Sequence, residues 1–170
     1  MYVHTPHARP PAHAPVAEQT YRDVISALPT GVTVITTEGP GGPVGCTASA
    51  VMSLSVAPPS LLVSLATASR TLDAILKADS FAVNVLGWQD RELADRFAKA
   101  PPEERFAGVP WSTEQDVPVL RDTTMTAVCR IQQTQLMLDH TVVAGTVTWS
   151  HRSEVAPTVM YRHHQHPLAR

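Results

Sequence analysis

Two cysteines, Cys46 and Cys129, are all that 170 residues provide, and both stand among apolar or small neighbours. That excludes a disulfide framework and leads us to expect two buried thiols in a reducing compartment. No apolar run approaches the ~20 residues of a membrane span. The first residues also lack the charged start and apolar core of a secretory leader. A soluble, cytoplasmic protein is therefore expected. Charge of one sign is scarce, with a formal net charge of −2. Nucleic acid and anionic membranes, which need a concentrated basic face, are excluded as partners. No Ser/His/Asp set, paired-carboxylate motif or metal-ligand cluster appears, so no metal site is expected. Hydrophobic residues still make up 44% of the chain, enough for one domain with a real core.

Residues 1–17 are rich in Pro, Ala and His without helical or strand periodicity, and read as a disordered tail. The His-rich end, 163–170, reads as a second, solvated tail, which leaves 18–162 as the folded domain. Thr20, with Asp23 three residues on, suggests a helix N-cap. Tyr21, Val24, Ile25 and Leu28 then share a helical face, and Pro29 ends it. From Val32 to Thr37 the chain is β-branched or threonine-rich and reads as a strand, followed by a turn over Glu38 to Pro43. Further strands are expected at Ser60 to Ala66, Phe81 to Leu86, Ala127 to Gln133 and Thr141 to Trp149. Short helices are expected at Thr71 to Ala78 and Gln89 to Lys99, the latter with a Glu92–Arg96 pair across one turn. Strands outnumber helices and do not alternate with them regularly. The fold class is mainly β (α+β), a split antiparallel barrel with short crossover helices.

Two segments carry the chemistry. Gly45 to Pro59 alternates with period two, placing Ala48, Ala50, Met52, Leu54 and Val56 on one side. Thr47, Ser49, Ser53 and Ser55 fall on the other, and Pro58-Pro59 ends the strand. A row of small hydroxyls leaves room for a flat ligand close to the backbone, although an ordinary half-exposed strand has the same pattern. Downstream, Ser69-Arg70-Thr71 opens a helical pattern. Hydroxyls and an arginine at a helix start suit a phosphate, while simple capping by Ser69 explains the serine equally well.

The chain resembles the short-chain flavin reductases, the reductase components of two-component flavin-dependent monooxygenases. Tyr21 to about His163 carries the resemblance, through Leu28-Pro29-Thr30-Gly31, Gly45 to Pro59, Ser69-Arg70-Thr71, Phe81-Ala82-Val83-Asn84-Val85-Leu86, Arg96-Phe97-Ala98, Arg105-Phe106-Ala107-Gly108-Val109 and Asp139-His140. It implies a homodimer holding FAD or FMN near the subunit interface. The reaction implied is hydride transfer from NADH, or NADPH, with reduced flavin diffusing to a partner monooxygenase; a secondary-metabolite oxygenase is compatible with it. By position, Val44, Gly45, Cys46, Thr47 and Ser49 would border the flavin ring. Ser64, Ala66, Ser69, Arg70 and Thr71 would surround the ribityl chain and phosphate, with Arg96 and Phe97 towards an adenine. Ser49, Ala50, His140, Met160, Tyr161, Arg162 and His163 would meet the nicotinamide nucleotide, His140 being the one candidate catalytic side chain.

Three departures from the family pattern stand out. Leu138 replaces the glycine before Asp139-His140, which suggests a differently shaped turn. Ala50 replaces a hydroxyl, and the C-terminal landmark is weak. Two other functions remain open on the sequence: a related barrel holding FMN tightly and oxidising its own substrate, and a non-enzymatic ligand-binding barrel.

Overall fold

A computed structural model describes residues 14–168. The chain forms α1 (Glu18–Ile25), β1 (Thr30–Gly31), β2 (Thr33–Gly39), β3 (Gly42–Ala48), β4 (Val51–Val56), β5 (Pro59–Ala66), α2 (Arg70–Ala78) and β6 (Ser80–Val85). There follow α3 (Glu92–Lys99), β7 (Trp111–Glu114), β8 (Val117–Leu120), β9 (Met125–Met137), β10 (His140–Arg152), β11 (Thr158–Tyr161) and β12 (His164–Pro167). Single 3-10 turns sit at Trp88–Asp90 and Pro102–Glu104. Seven strands form one antiparallel sheet in the order β3-β2-β6-β9-β10-β5-β4. This is the mainly β architecture with short helices that the sequence suggested.

β2 is buried along most of its length because its threonines find partners. Thr33 donates to the Ala48 carbonyl at 2.5 Å, Thr36 to Pro118 at 2.5 Å and Thr37 to Ser80 at 2.7 Å. Each buried hydroxyl is thus satisfied while the branched side chain packs. Asn84 of β6 works likewise, donating to the Val34 carbonyl and accepting from the Leu120 N–H, both at 2.9 Å. Beneath the sheet, Ile35, Val63, Phe81, Val83 and Val143 enclose Leu72 and Ile75, so α2 plugs the barrel. A second cluster, Val34, Leu86, Phe97, Val109 and Leu120, seats α3.

The stretch from Gly45 to Pro59 is not one strand. It breaks at Ser49-Ala50, and its halves, β3 and β4, are the two opposite edges of the sheet. The alternation is genuine on each side of the break, which is why period alone concealed it. Pro59 does not end the segment either. It opens β5 opposite Val56, across a turn with a cis Ala57-Pro58 bond. The Glu38–Pro43 turn is tighter than expected, since those two residues pair and only Pro40 and Gly41 connect the strands.

Other expectations are also corrected. Helix α1 starts at Glu18, before Thr20, and Ala17 at its N-cap offers no side-chain bond. The helix ends at Ile25, so Leu28 lies beyond it, and Tyr21, Val24, Ile25 and Leu28 are all exposed. The pair on α3 is Asp95–Lys99 at 3.0 Å rather than Glu92–Arg96. Of the expected C-terminal tail, His164–Pro167 is a strand, paired with Thr158–Tyr161 across a turn in which Arg162 and His163 both take positive φ. Leu138 adopts φ 58° at the β9–β10 turn, so the leucine keeps a glycine-like position instead of reshaping the turn. The expected N-terminal tail lies outside the described residues up to residue 13; residues 14–17 form no regular element.

Candidate functional site

The geometry is richest where α2 begins. Ser69 occupies its N-cap with extended backbone, yet its side chain makes no capping bond. Capping therefore does not explain this serine, and the first-turn N–H groups of α2 keep their unpaired positive end. Arg70 and buried Thr71 follow. Facing them across a cleft of about 470 Å³ stand Cys46 and Thr47 of β3, Phe97 and Ala98 of α3, and Arg105. Two guanidinium groups, two hydroxyls and a helix N-terminus thus converge on one cleft. That donor set fits a phosphate ester.

Arg105 reaches the cleft through its bonds. Its Nη1 donates to the Gly45 carbonyl at 2.7 Å and its Nε to Ala100 at 3.0 Å, which clamps the 100–105 segment onto β3. Gly45 is needed beneath it: a Cβ there would lie 2.8 Å from the Ile35 carbonyl oxygen and 3.2 Å from the Phe97 ring. Burial pushes the Cys46 thiol up, against the opposing influence of the Thr71 hydroxyl, the Arg105 charge and the Ser69 hydroxyl. The thiol therefore stays neutral and serves as a wall of the cleft.

Arg96 does not face the cleft. Its guanidinium donates to the Glu104 carbonyl at 2.7 Å and to the Ala107 carbonyl, which makes it a tie for the 104–107 segment. Thr47 lines the cleft, but its hydroxyl is committed to the Ala94 carbonyl at 2.5 Å and anchors α3. Val44 and Gly45 lie along β3 without lining the cleft. Arg105 is absent from the candidate residues read from the sequence because its position, far downstream of the helix start, gives no helical or strand cue. Its presence in the Arg105-Phe106-Ala107-Gly108-Val109 landmark was the available signal.

Ser49 and Ala50 form the link between the two sheet edges. Their main-chain N–H groups have no protein acceptor among the described residues, while the Ala50 carbonyl accepts the Ser64 N–H at 2.9 Å. Ser64 is half-buried and Ala66 exposed on β5, and the Ala66 carbonyl accepts the Ser69 N–H at 2.9 Å, which joins this face to the phosphate cleft. His140 pairs with Ala66 across the β10–β5 ladder. Its Nδ1 lies 2.9 Å from Asp139 Oδ1, and this hydrogen bond holds the exposed Asp139 carboxyl below its ordinary value.

The remaining nucleotide candidates divide. Ser49, Met160 and His163 line a second cleft of about 490 Å³ beside α1. Tyr161 instead carries Arg162 over its ring at 5.3 Å and packs near His166 at 6.2 Å. Ala50 lines neither cleft.

An antiparallel sheet whose two edges are joined by a two-residue link, with a helix start and two arginines opening on one cleft, defines a mainly β protein with a candidate anion site. Residues 25–169 match the flavin reductase like domain, and the chain belongs to that family. It is 44% identical over 147 residues to the flavin reductase (NADH) of Kitasatospora aureofaciens, covering 84% of this chain and 76% of that protein. The NADH:FAD oxidoreductase SgcE6 of Streptomyces globisporus C-1027 superposes with a TM-score of 0.85 at 27% identity, covering 95% of this chain and all of that one. Nitrilotriacetate monooxygenase component B from Mycobacterium thermoresistibile does so with a TM-score of 0.85 at 29% identity, over 89% and 87% of the two chains.

Proposed function

We propose that the protein is an NADH-dependent flavin reductase that reduces free FAD or FMN and releases it to a separate oxygenase. The observation that carries this reading is the cleft in which the α2 N-terminus, Arg70 and Arg105 converge beside β3. The chemistry supplied by the bound cofactors is a two-electron hydride transfer from reduced nicotinamide to flavin. The chain itself binds and orients. Arg70, Arg105 and the first turn of α2 hold the phosphate end of the flavin. The free N–H groups of Ser49 and Ala50 offer hydrogen bonds to a heteroaromatic edge. Asp139 fixes the orientation of the His140 imidazole, and the ladder to Ala66 fixes its position. Stacking two rings at the right distance is the main demand of such a transfer, and rigid strands meet it.

The exposed apolar residues of α1, of the bend after it and of β4, among them Val24, Leu28, Met52 and Val56, support a homodimer that covers them. Two unpaired cysteines fit a reducing, cytoplasmic setting.

The test is steady-state oxidation of NADH and NADPH by the purified chain with added FAD or FMN. Turnover of added flavin in large molar excess over the protein is expected. The absence of oxidation with every donor and flavin combination would refute the reading. A tightly held yellow cofactor with no turnover of added flavin would favour an FMN-dependent oxidase instead.

A further inference from the structure

Arg105 can act as a phosphate ligand only if the loop that carries it is held in place. That loop runs from α3 to β7, and most of it faces water: Pro101 to Glu104, Ala107 and Gly108 are all exposed. After the 3-10 turn at Pro102–Glu104, the Ala107 N–H donates to the Glu104 carbonyl at 3.3 Å, which closes a turn with Arg105 as its second residue. Phe106 anchors the loop from its far side, edge-on to Phe97 at 5.0 Å and to Trp111 at 6.2 Å. Among the described residues, the side-chain bonds to the main chain of 100–108 come from Arg105 itself, to Ala100, and from Arg96. Arg96 stands in the last turn of α3. Its Nη2 donates to the Glu104 carbonyl at 2.7 Å and to the Ala107 carbonyl, and its Nε reaches Glu104 at 3.2 Å. Both ends of the turn are thus gripped, with Arg105 between them.

We infer that Arg96 is a positioning residue for the phosphate end of the flavin, acting through Arg105. Arg96 lines neither cleft, so it has no direct contact with a ligand held there. Its base is rigid, because Phe97 beside it is fully buried in the core cluster that seats α3. The order of support is therefore core, α3, Arg96, the Glu104–Ala107 turn and Arg105. An arginine held in advance loses less side-chain freedom when a phosphate binds, and that saving appears as affinity for the phosphate alone. The inference rests on the flavin reductase reading, since it needs a flavin phosphate in the cleft at α2.

The experiment titrates FMN and riboflavin against the full chain as wild type, Arg96→Met, Arg105→Met and the double variant, with NADH oxidation measured alongside. R96M lowers the FMN-to-riboflavin affinity ratio by about three- to tenfold, the cost of ordering one side chain on binding. In the R105M background the same change moves the ratio by less than about twofold, because Arg96 then has nothing to position. Arg96→Lys, which keeps charge and donors on a more flexible stem, gives the same pattern at smaller amplitude and serves where R96M does not fold. An equal fall in both backgrounds means that Arg96 acts on the phosphate by itself, and overturns the inference. A ratio unchanged in R96M, with circular dichroism reporting an intact fold, overturns it too. So does a ratio unchanged in R105M, which removes the ligand that Arg96 would position. Wild-type flavin turnover without any Arg96 effect would leave the reductase reading standing and remove the positioning role. The expected coupling in a chain that oxidises no NADH would do the reverse.

Discussion

Replacing Arg105 with methionine tests the phosphate cleft most directly. Arg105 and Arg70 are the two cations that line it, and Arg105 is the better held, with two of its five donors already bound to Gly45 and Ala100 at 2.7 and 3.0 Å. Its three other N–H donors have no protein acceptor among the described residues, and the residue lines the cleft proposed for a flavin phosphate. A hydrogen bond to a charged group contributes about 1.5–3 kcal/mol, or roughly one to two powers of ten in affinity. R105M should therefore weaken FMN binding by about 10- to 100-fold. Arg70 is exposed, so water screens its charge, and R70A should weaken FMN less, by about three- to tenfold.

Weakened binding alone would not separate a phosphate ligand from a clamp that merely shapes the cleft. Riboflavin, which has the ring and ribityl chain without the phosphate, makes that separation. Fluorescence-quench titrations with both ligands give an FMN-to-riboflavin affinity ratio for each variant. If Arg105 binds the phosphate, the ratio falls with the FMN affinity while riboflavin stays within about threefold. A parallel fall for both ligands would mean that Arg105 acts only by clamping the 100–105 segment, and the phosphate assignment would fail.

Three further outcomes follow from particular residues. Leu138→Gly should stabilise the fold by about 1 kcal/mol and raise the melting temperature by about 2–4 °C in calorimetry, since Leu138 is 97% exposed at φ 58° and has little packing to lose. Gly45→Ala should destabilise it by about 1–3 kcal/mol in urea unfolding, because the Ile35 carbonyl 2.8 Å from the new Cβ is backbone and cannot turn away. Burial pushes the Cys129 thiol up to about 12, so the folded state holds its proton more tightly than the unfolded chain does. That stability is fully present below about pH 9 and is lost towards pH 12. Urea unfolding at pH 8.5 and 10.5 should therefore show a larger alkaline loss in the wild type than in Cys129→Ala, by about 1–2 kcal/mol.

Much of the fold was legible because its signals were local. β2 and β5 announced themselves through β-branched or apolar runs bounded by Gly and Pro, and α2 through Leu72 and Ile75 on one face. What escaped was non-local. Nothing at Ser49-Ala50 marks a strand break, because either side keeps period two; the break depends on which neighbours each half finds across the sheet. Arg96 looked like a partner for Glu92 because helical spacing permits it. The Glu104 and Ala107 carbonyls compete for the same guanidinium, and their proximity comes only with the tertiary fold. The His-rich end read as solvated because His164 and His166 do face water, while Gln165 between them does not.

The candidate site divides along the same line. The helix-start chemistry at Ser69-Arg70-Thr71 needs only consecutive residues, and those residues do line a cleft in the fold. Its second cation, Arg105, comes from a loop folded back onto β3. The split edge explains why these parts meet. A fully closed barrel would pair β3 with β4 and use up the N–H groups of Ser49 and Ala50 in a ladder. Because β3 pairs only with β2, and β4 only with β5, the two-residue link keeps those donors free beside Ser64. The same opening lets α3 and the β11–β12 hairpin approach Thr47 and Ser49 and line a small adjoining cavity of about 250 Å³. The incomplete closure of the sheet is thus what provides the candidate site. If these N–H groups serve the flavin ring as proposed, a substitution that gave Ser49 or Ala50 a backbone partner should weaken riboflavin and FMN binding alike, leaving the cleft at α2 intact.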